Sequence, residues 1–126
     1  MTSKEFALIA AEAADEKKAE DIVVLDVSEL LVVTEYFVIA TGRTNIQVRA
    51  IADEVEDQLR ARGEKPIGRE GAGEDKWVLL DYGDYVVHVF QPDEREFYRL
   101  EKLWSDAPRL ELPGAGVSTT ASPADA

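Results

Sequence analysis

Residues 77–90 read WVLLDYGDYVVHVF: six residues rich in β-branched and aromatic side chains, a Gly-Asp pair, then six more of the same kind. Glycine supplies the positive φ that a two-residue hairpin turn requires, so Gly83-Asp84 is the turn and the flanking runs are its strands. The register follows: Tyr82 faces Tyr85, Leu79 faces His88 and Trp77 faces Phe90. Side chains alternate across a strand. One face therefore holds Val78, Leu80, Val87 and Val89, with Tyr82 and Tyr85 near the tip. The other holds Trp77, Leu79, Asp81, Val86, His88 and Phe90. The first face is fit for a core. The second is apolar too, yet it carries a carboxylate and the only histidine of the chain. Asp81 and His88 are diagonal neighbours there, close enough for their side chains to meet. A sheet with two apolar faces must cover both, with its own helices or with another molecule.

Working outward, capping-box spacing at Thr2-Ser3-Lys4-Glu5 predicts a helix over residues 3–18, with Phe6, Ile9, Ala10 and Ala13 on one side. Strands follow at 22–27 and 36–41, and SELLVVTE between them is ambiguous between a helical turn and extended chain. The unbroken run YFVIAT ahead of Gly42 suggests a strand covered on both faces. A second capping pattern at Thr44 opens a helix with Val48, Ile51, Ala52, Val55 and Leu59 in one stripe, ending at Gly63. Its opposite side, from Arg49 to Arg60, is expected to be wet. Residues 65–70 make a short strand. Pro92 starts a last helix, with Asp93 and Glu94 in its first turn and Phe97, Leu100 and Trp104 on one side. The expected fold is α/β (α+β): a mixed four- or five-stranded sheet with three helices. The folded domain spans residues 1–107. Residues 108–126, rich in Pro, Gly, Ser, Thr and Ala, are expected to be a disordered tail.

Composition excludes several functions. With 26 acidic and 14 basic residues the 126-residue chain carries a net charge of −12. Nucleic-acid affinity rests on neutralising phosphates, so a basic protein is a better-matched partner than bare RNA or DNA. There is no cysteine, hence no disulfide, thiolate metal site or cysteine nucleophile. No stretch reaches membrane-spanning length, and the N-terminus lacks a signal-peptide core, so a cytoplasmic protein is expected. Asp81 and His88 lack the third group that nucleophilic hydrolysis needs, and no G-x-S-x-G elbow is present. One histidine and scattered carboxylates offer no metal-ligand spacing. The segment from Thr41 to Thr44 has neither a Walker lysine nor a dinucleotide fingerprint. No catalytic residue, metal or cofactor is expected. The aromatic residues concentrated near the C-terminal end, among them Trp77, Tyr82, Tyr98 and Trp104, are of the types enriched at interface hot spots.

Tyr36-Phe37-Val38-Ile39-Ala40-Thr41-Gly42, Ala50-Ile51-Ala52-Asp53, the hairpin itself and the Phe97-Tyr98-x-Leu100-Glu101-x-Leu103-Trp104 segment together resemble the Iojap-like ribosomal silencing factor family. The likeness covers residues 3–107. It implies a nucleotidyltransferase-like fold without the paired metal-binding aspartates. It also implies a homodimer, and a partner in the large ribosomal subunit reached through that subunit's ribosomal protein fourteen. Binding there would block joining of the small subunit and repress translation under starvation. Glu35 and Gln47 depart from the family pattern, which more often has aspartate and histidine there. On this likeness and the surface logic, the partner-binding set is Trp77, Leu79, Asp81, Tyr82, His88, Phe90 and Tyr98. A nucleotide-binding or nucleotidyltransferase-type enzyme of weak activity is the competing reading, and it would use magnesium and nucleotide near Gly42 and Asp81. A scaffold whose aromatic face is spent on its twin is a third.

Overall fold

Every residue of the hairpin's second strand is buried, because that strand lies in the middle of the sheet. The computed structural model describes residues 1–71 and 73–112, with the side chains of all of these but Glu101 and Leu103. Helix α1 (Ser3–Glu16) leads to β1 (Glu20–Asp26) and β2 (Tyr36–Thr41), then to α2 (Asn45–Arg60). Strands β3 (Gly68–Glu70), β4 (Trp77–Asp81) and β5 (Tyr85–Phe90) follow, and then α3 (Pro92–Tyr98) and α4 (Leu100–Leu103). The sheet has five strands in the order β1-β2-β5-β4-β3. Only β2 and β5 pair in parallel, so the chain leaves β2 through α2 to the far edge and returns by two antiparallel pairings. The hairpin has the register its sequence dictates, Trp77 opposite Phe90 and Leu79 opposite His88. Gly83 takes a φ of +86° at its tip.

The two faces are covered unequally. Helices α1 and α2 seal the face bearing Val78, Leu80, Val87, Val89, Tyr82 and Tyr85. The side of α1 turned inward is alanine: Ala7, Ala10, Ala11, Ala13 and Ala14 are buried, which lets its backbone approach the sheet closely. Thr2 and Glu5 form the capping box at its start. At the start of α2 Thr44 caps the Gln47 amide, but the Gln47 carboxamide turns outward. Its oxygen accepts from the Arg43 backbone, and its nitrogen donates to the carbonyls of Lys17 and Lys18, tying α2 to the end of α1. The outer side of α2 is less wet than its charge suggests. Arg49 pairs with the buried Asp75, and Asp53 and Glu56 both hold Arg69 of β3.

The opposite face receives a thinner cover. The expected last helix is broken at Arg99, which adopts φ 48°, ψ 54°. Leu100, Trp104 and Ala107 fold down onto Val23, Leu25, Phe37 and Phe90, while Phe97 is left 78% exposed. Phe97 therefore does not share a buried side with Leu100 and Trp104. The break shifts the helical phase between them. Beyond Ala107 the chain continues on the sheet. The Asp26 amide donates to the Pro108 carbonyl and the Leu110 amide to the Val24 carbonyl, at 2.8 and 2.9 Å. Leu110 and Leu112 pack on the α1/α2 core. Residues 108–112 thus cover the free edge of β1, where the sequence had suggested the start of a tail. The expectation for residues 113–126 lies outside the described residues.

Gly71 adopts a φ of +91°, and a Cβ built there would stand 1.9 Å from the Trp77 carbonyl oxygen. Gly71→Ala should therefore lower stability by ~3 kcal/mol or more, because the clash is with backbone. At Gly73, φ +109° with open space around it, Ala should cost only the left-handed strain of ~1–2 kcal/mol. Urea unfolding of the two variants side by side checks the contrast.

Candidate functional site

Where the thin cover stops, the second face stays open. A groove of about 480 Å³ runs between residues 31–37 and the β4–β5 hairpin. Leu31, Val33, Phe37, Ile67, Leu79 and Val86 give it apolar walls; Thr34, Asp81 and His88 are its polar members. The ambiguous SELLVVTE segment forms its rim. It is neither helix nor strand but a loop closed by the Val27 amide on the Glu35 carbonyl, 2.8 Å, with a turn at Leu30. The Glu35 amide donates to the Asp84 carbonyl at 2.8 Å, which pins the loop to the hairpin tip. The Glu35 side chain accepts from Ser3 Oγ. Val32 is fully exposed and Val33 80% exposed on this rim, with Ile67 76% exposed across from it. Large apolar side chains this exposed and this close together mark an interaction surface.

The expected site residues divide into four groups. Leu79, Asp81 and His88 meet in the groove. Trp77 and Tyr98 lie beside it, ring centroids 4.5 Å apart, with Trp77 stacked on Phe90 at 4.9 Å. Phe90 is fully buried and forms the floor beneath Trp77, so its role at this face is to support Trp77. Tyr82 lies on the opposite face, stacked on Tyr85 at 4.8 Å and buried under the α2 side, and is corrected out of the set. Alternation across the strand had already placed it there. Burial pushes the hydroxyls of Tyr82 and Tyr85 well above the ordinary phenol range, and Tyr85 donates to Glu64 at 2.9 Å. The groove's walls at Leu31, Val33, Thr34, Phe37 and Ile67 were not read from the sequence. Their signal was the run Leu30-Leu31-Val32-Val33, apolar without either strand or helix period.

Asp81 and His88, close enough to meet by register, bond to other groups. One Asp81 oxygen accepts the Gly83 amide at 2.8 Å, a turn-stabilising bond. His88 Nδ1 instead accepts the Trp77 indole N–H at 3.2 Å. With His88 buried against Phe37, Trp77 and Phe90, desolvation lowers its pKa to about 4. Gly42 and Asp81 stand at opposite ends of the sheet. Gly42 bonds to the Phe90 carbonyl, in line with Trp77, whereas Asp81 is four residues further along β4, roughly 13 Å away. They do not frame one nucleotide site. Among the described residues no three of His, Asp or Glu come together as metal ligands.

The fold is thus an α+β domain with one sheet face sealed by long helices and an apolar groove left open on the other. The family model described as "ribosomal silencing factor during starvation" matches residues 1–126. The ribosomal silencing factor RsfS of Bacillus subtilis is 49% identical over 112 residues, covering 89% of this chain and 95% of that protein. The chloroplastic protein Iojap of Zea mays is 43% identical over 111 residues, 86% of this chain and 47% of the maize protein. A crystal structure of a protein from Chromobacterium violaceum superposes with a TM-score of 0.81 at 35% identity, covering 94% of this chain and 98% of that one. This chain belongs to the ribosomal silencing factor family.

The depressed His88 pKa makes stability depend on pH. Unfolded, the imidazole takes up a proton near 6.5; folded, only near 4. Between those values the unfolded state binds more protons, so this contribution is complete above pH 6.5 and is lost as pH falls toward 4. At pH 5 the loss should be roughly 2 kcal/mol. Urea unfolding at pH 7 and pH 5 should show wild type losing that much more than His88→Gln, which has no such group to titrate.

Proposed function

We propose that the groove face docks on ribosomal protein fourteen of the large ribosomal subunit, and that the bound domain then obstructs joining of the small subunit, repressing translation under starvation. Family membership supports the ribosomal setting. The single structural observation that supports docking is the cluster of exposed Val32, Val33 and Ile67 around a half-open apolar groove. Magnitudes assign the roles. Covering a valine or isoleucine contributes ~1.5–3 kcal/mol apiece, whereas a rim ion pair of Asp81 with a lysine or arginine contributes ~0–1 kcal/mol. The apolar residues hold the partner, and Asp81 with the chain's net charge of −12 steers a basic surface toward the groove. Obstruction needs no reacting group, so the reading is non-enzymatic. It carries with it a cytoplasmic location, a homodimer, and no direct nucleic-acid specificity.

Trp77 serves this surface partly through packing. Its indole is half-buried among Phe90, Tyr98 and His88, so Trp77→Ala costs stability as well as contact. Val33 gives the cleaner test, since its side chain is exposed and folding does not depend on it. Val33→Glu should leave the melting temperature near that of wild type. Binding to purified large subunits should weaken at least about tenfold, ~1.4 kcal/mol, and subunit joining should recover in sucrose-gradient sedimentation. Ile46→Glu, equally exposed but on α2 behind the sheet, should bind within about twofold of wild type. Equal binding by both variants and wild type would sink the proposal.

A further inference from the structure

Two polar side-chain atoms that belong to the groove are buried without a protein partner, His88 Nε2 and Thr34 Oγ1. Their residues are only 5% and 6% exposed. Buried polar groups in folded proteins are nearly always satisfied, so an orphan pair just beneath the groove lining is where a molecule that parts that lining on docking completes the bonding. The protonation of His88 is dictated from its other nitrogen. An indole N–H can only donate, so His88 Nδ1, 3.2 Å from Trp77 Nε1, must present a lone pair. A neutral imidazole with its lone pair on Nδ1 carries its proton on Nε2. Burial keeps the ring neutral at pH 7. The groove therefore offers an N–H donor whose identity is fixed by Trp77.

We infer that Trp77 locks His88 in the Nε2–H tautomer, and that this N–H donates to a backbone carbonyl of an extended segment of the docked partner. The inference rests on the docking reading above and specifies its chemistry. An anionic acceptor is disfavoured, because Asp81 lines the same groove and Glu35 and Asp84 are joined at its end. A backbone carbonyl is an uncharged acceptor that a basic protein also supplies. The neighbouring side chains of an extended segment would then fill the apolar walls, and its N–H groups suit Thr34 Oγ1 as an acceptor. In these terms His88 is a selectivity residue and Trp77 its positioning residue, which links two residues of the set by a mechanism beyond shared surface.

The test begins with long-range ¹H–¹⁵N correlation of the isotope-labelled protein. The His88 Nε2 is expected to be protonated and Nδ1 not, and Trp77→Phe is expected to yield a mixture of tautomers. Purified ribosomal protein fourteen should then shift the His88 Nε2–H resonance and slow its exchange with solvent. In binding assays with large subunits, His88→Leu should lose at least tenfold. His88→Gln, whose amide nitrogen falls near the Nε2 position, should recover most of that loss. Protonation at Nδ1 in the free protein overturns the inference. So does wild-type binding by His88→Leu while Val33→Glu is defective, a result that leaves docking intact. If Val33→Glu also binds normally, docking itself has failed. Should His88→Leu not fold, the wild-type Nε2–H resonance decides: no change on adding the partner overturns the inference.

Discussion

A strand at the centre of a five-stranded sheet must be covered twice, and β5 meets that constraint with unequal means. On one side α1 and α2 lie across it, and the core there is continuous from Ala7 to Val89. On the other, the described residues after β5 supply two short helices and a turn with which to cover Phe37, Ile39, Val86, His88 and Phe90. The left-handed backbone at Arg99 makes this possible. It lets Tyr98 stay against Trp77 while Leu100 and Trp104 turn onto β1 and β2. The rest of the face is bordered by the Val27–Glu35 loop and by Ile67, and the groove is the result.

The chain's charge and its greasy groove are therefore parts of one device. Exposed apolar surface on an uncharged domain invites self-association. A net charge of −12 opposes indiscriminate association through that surface and favours a basic partner over an acidic one. Several of the acids are engaged internally: Asp75 holds Arg49, and Asp53 and Glu56 hold Arg69. These pairs fasten β3 and Asp75 to α2. Asp81 and Asp84, at the hairpin tip, do not form ion pairs of that kind among the described residues, and Asp81 opens on the groove. Acid that fastens the scaffold and acid that faces the groove are thus different residues.

Much of the scaffold was legible because local rules and tertiary packing agree there. The hairpin register, both capping sites, the stripe of α2 and the division of Val78 and Leu80 from Trp77 and Leu79 all follow from spacing. The failures share a physical cause. Arg99 sits among good helix formers, and nothing in residues 92–104 announces a break; the sheet surface imposes it. Residues 108–112 were read by composition, although Arg109-Leu110-Glu111-Leu112 alternates with strand period. The site was half legible. His88, Leu79 and Asp81 lie where alternation puts them, but Tyr82 was drawn in by residue type against that same alternation. Leu31, Val33 and Thr34 were passed over because a loop has no period to read.

Places where sequence rules break tend to be places where a protein does something with its neighbours, and here the breaks converge. The aperiodic Leu30–Thr34 run would be a liability as ordinary surface, since Val32 and Val33 point into water. The indole of Trp77 is spent on a histidine nitrogen instead of on solvent, and the other nitrogen of that histidine is left without a partner. Either feature alone has a bland explanation, a floppy loop or a packing compromise. Together they border one groove, and each would be repaired by the docking proposed above, an apolar, hydrogen-bonding segment laid between the loop and the hairpin. A fold that leaves two unrelated costs in one place, both removable by one partner, has its stability and its function coupled there. For the docking proposed above, that coupling would suit a domain whose work is to be held in place.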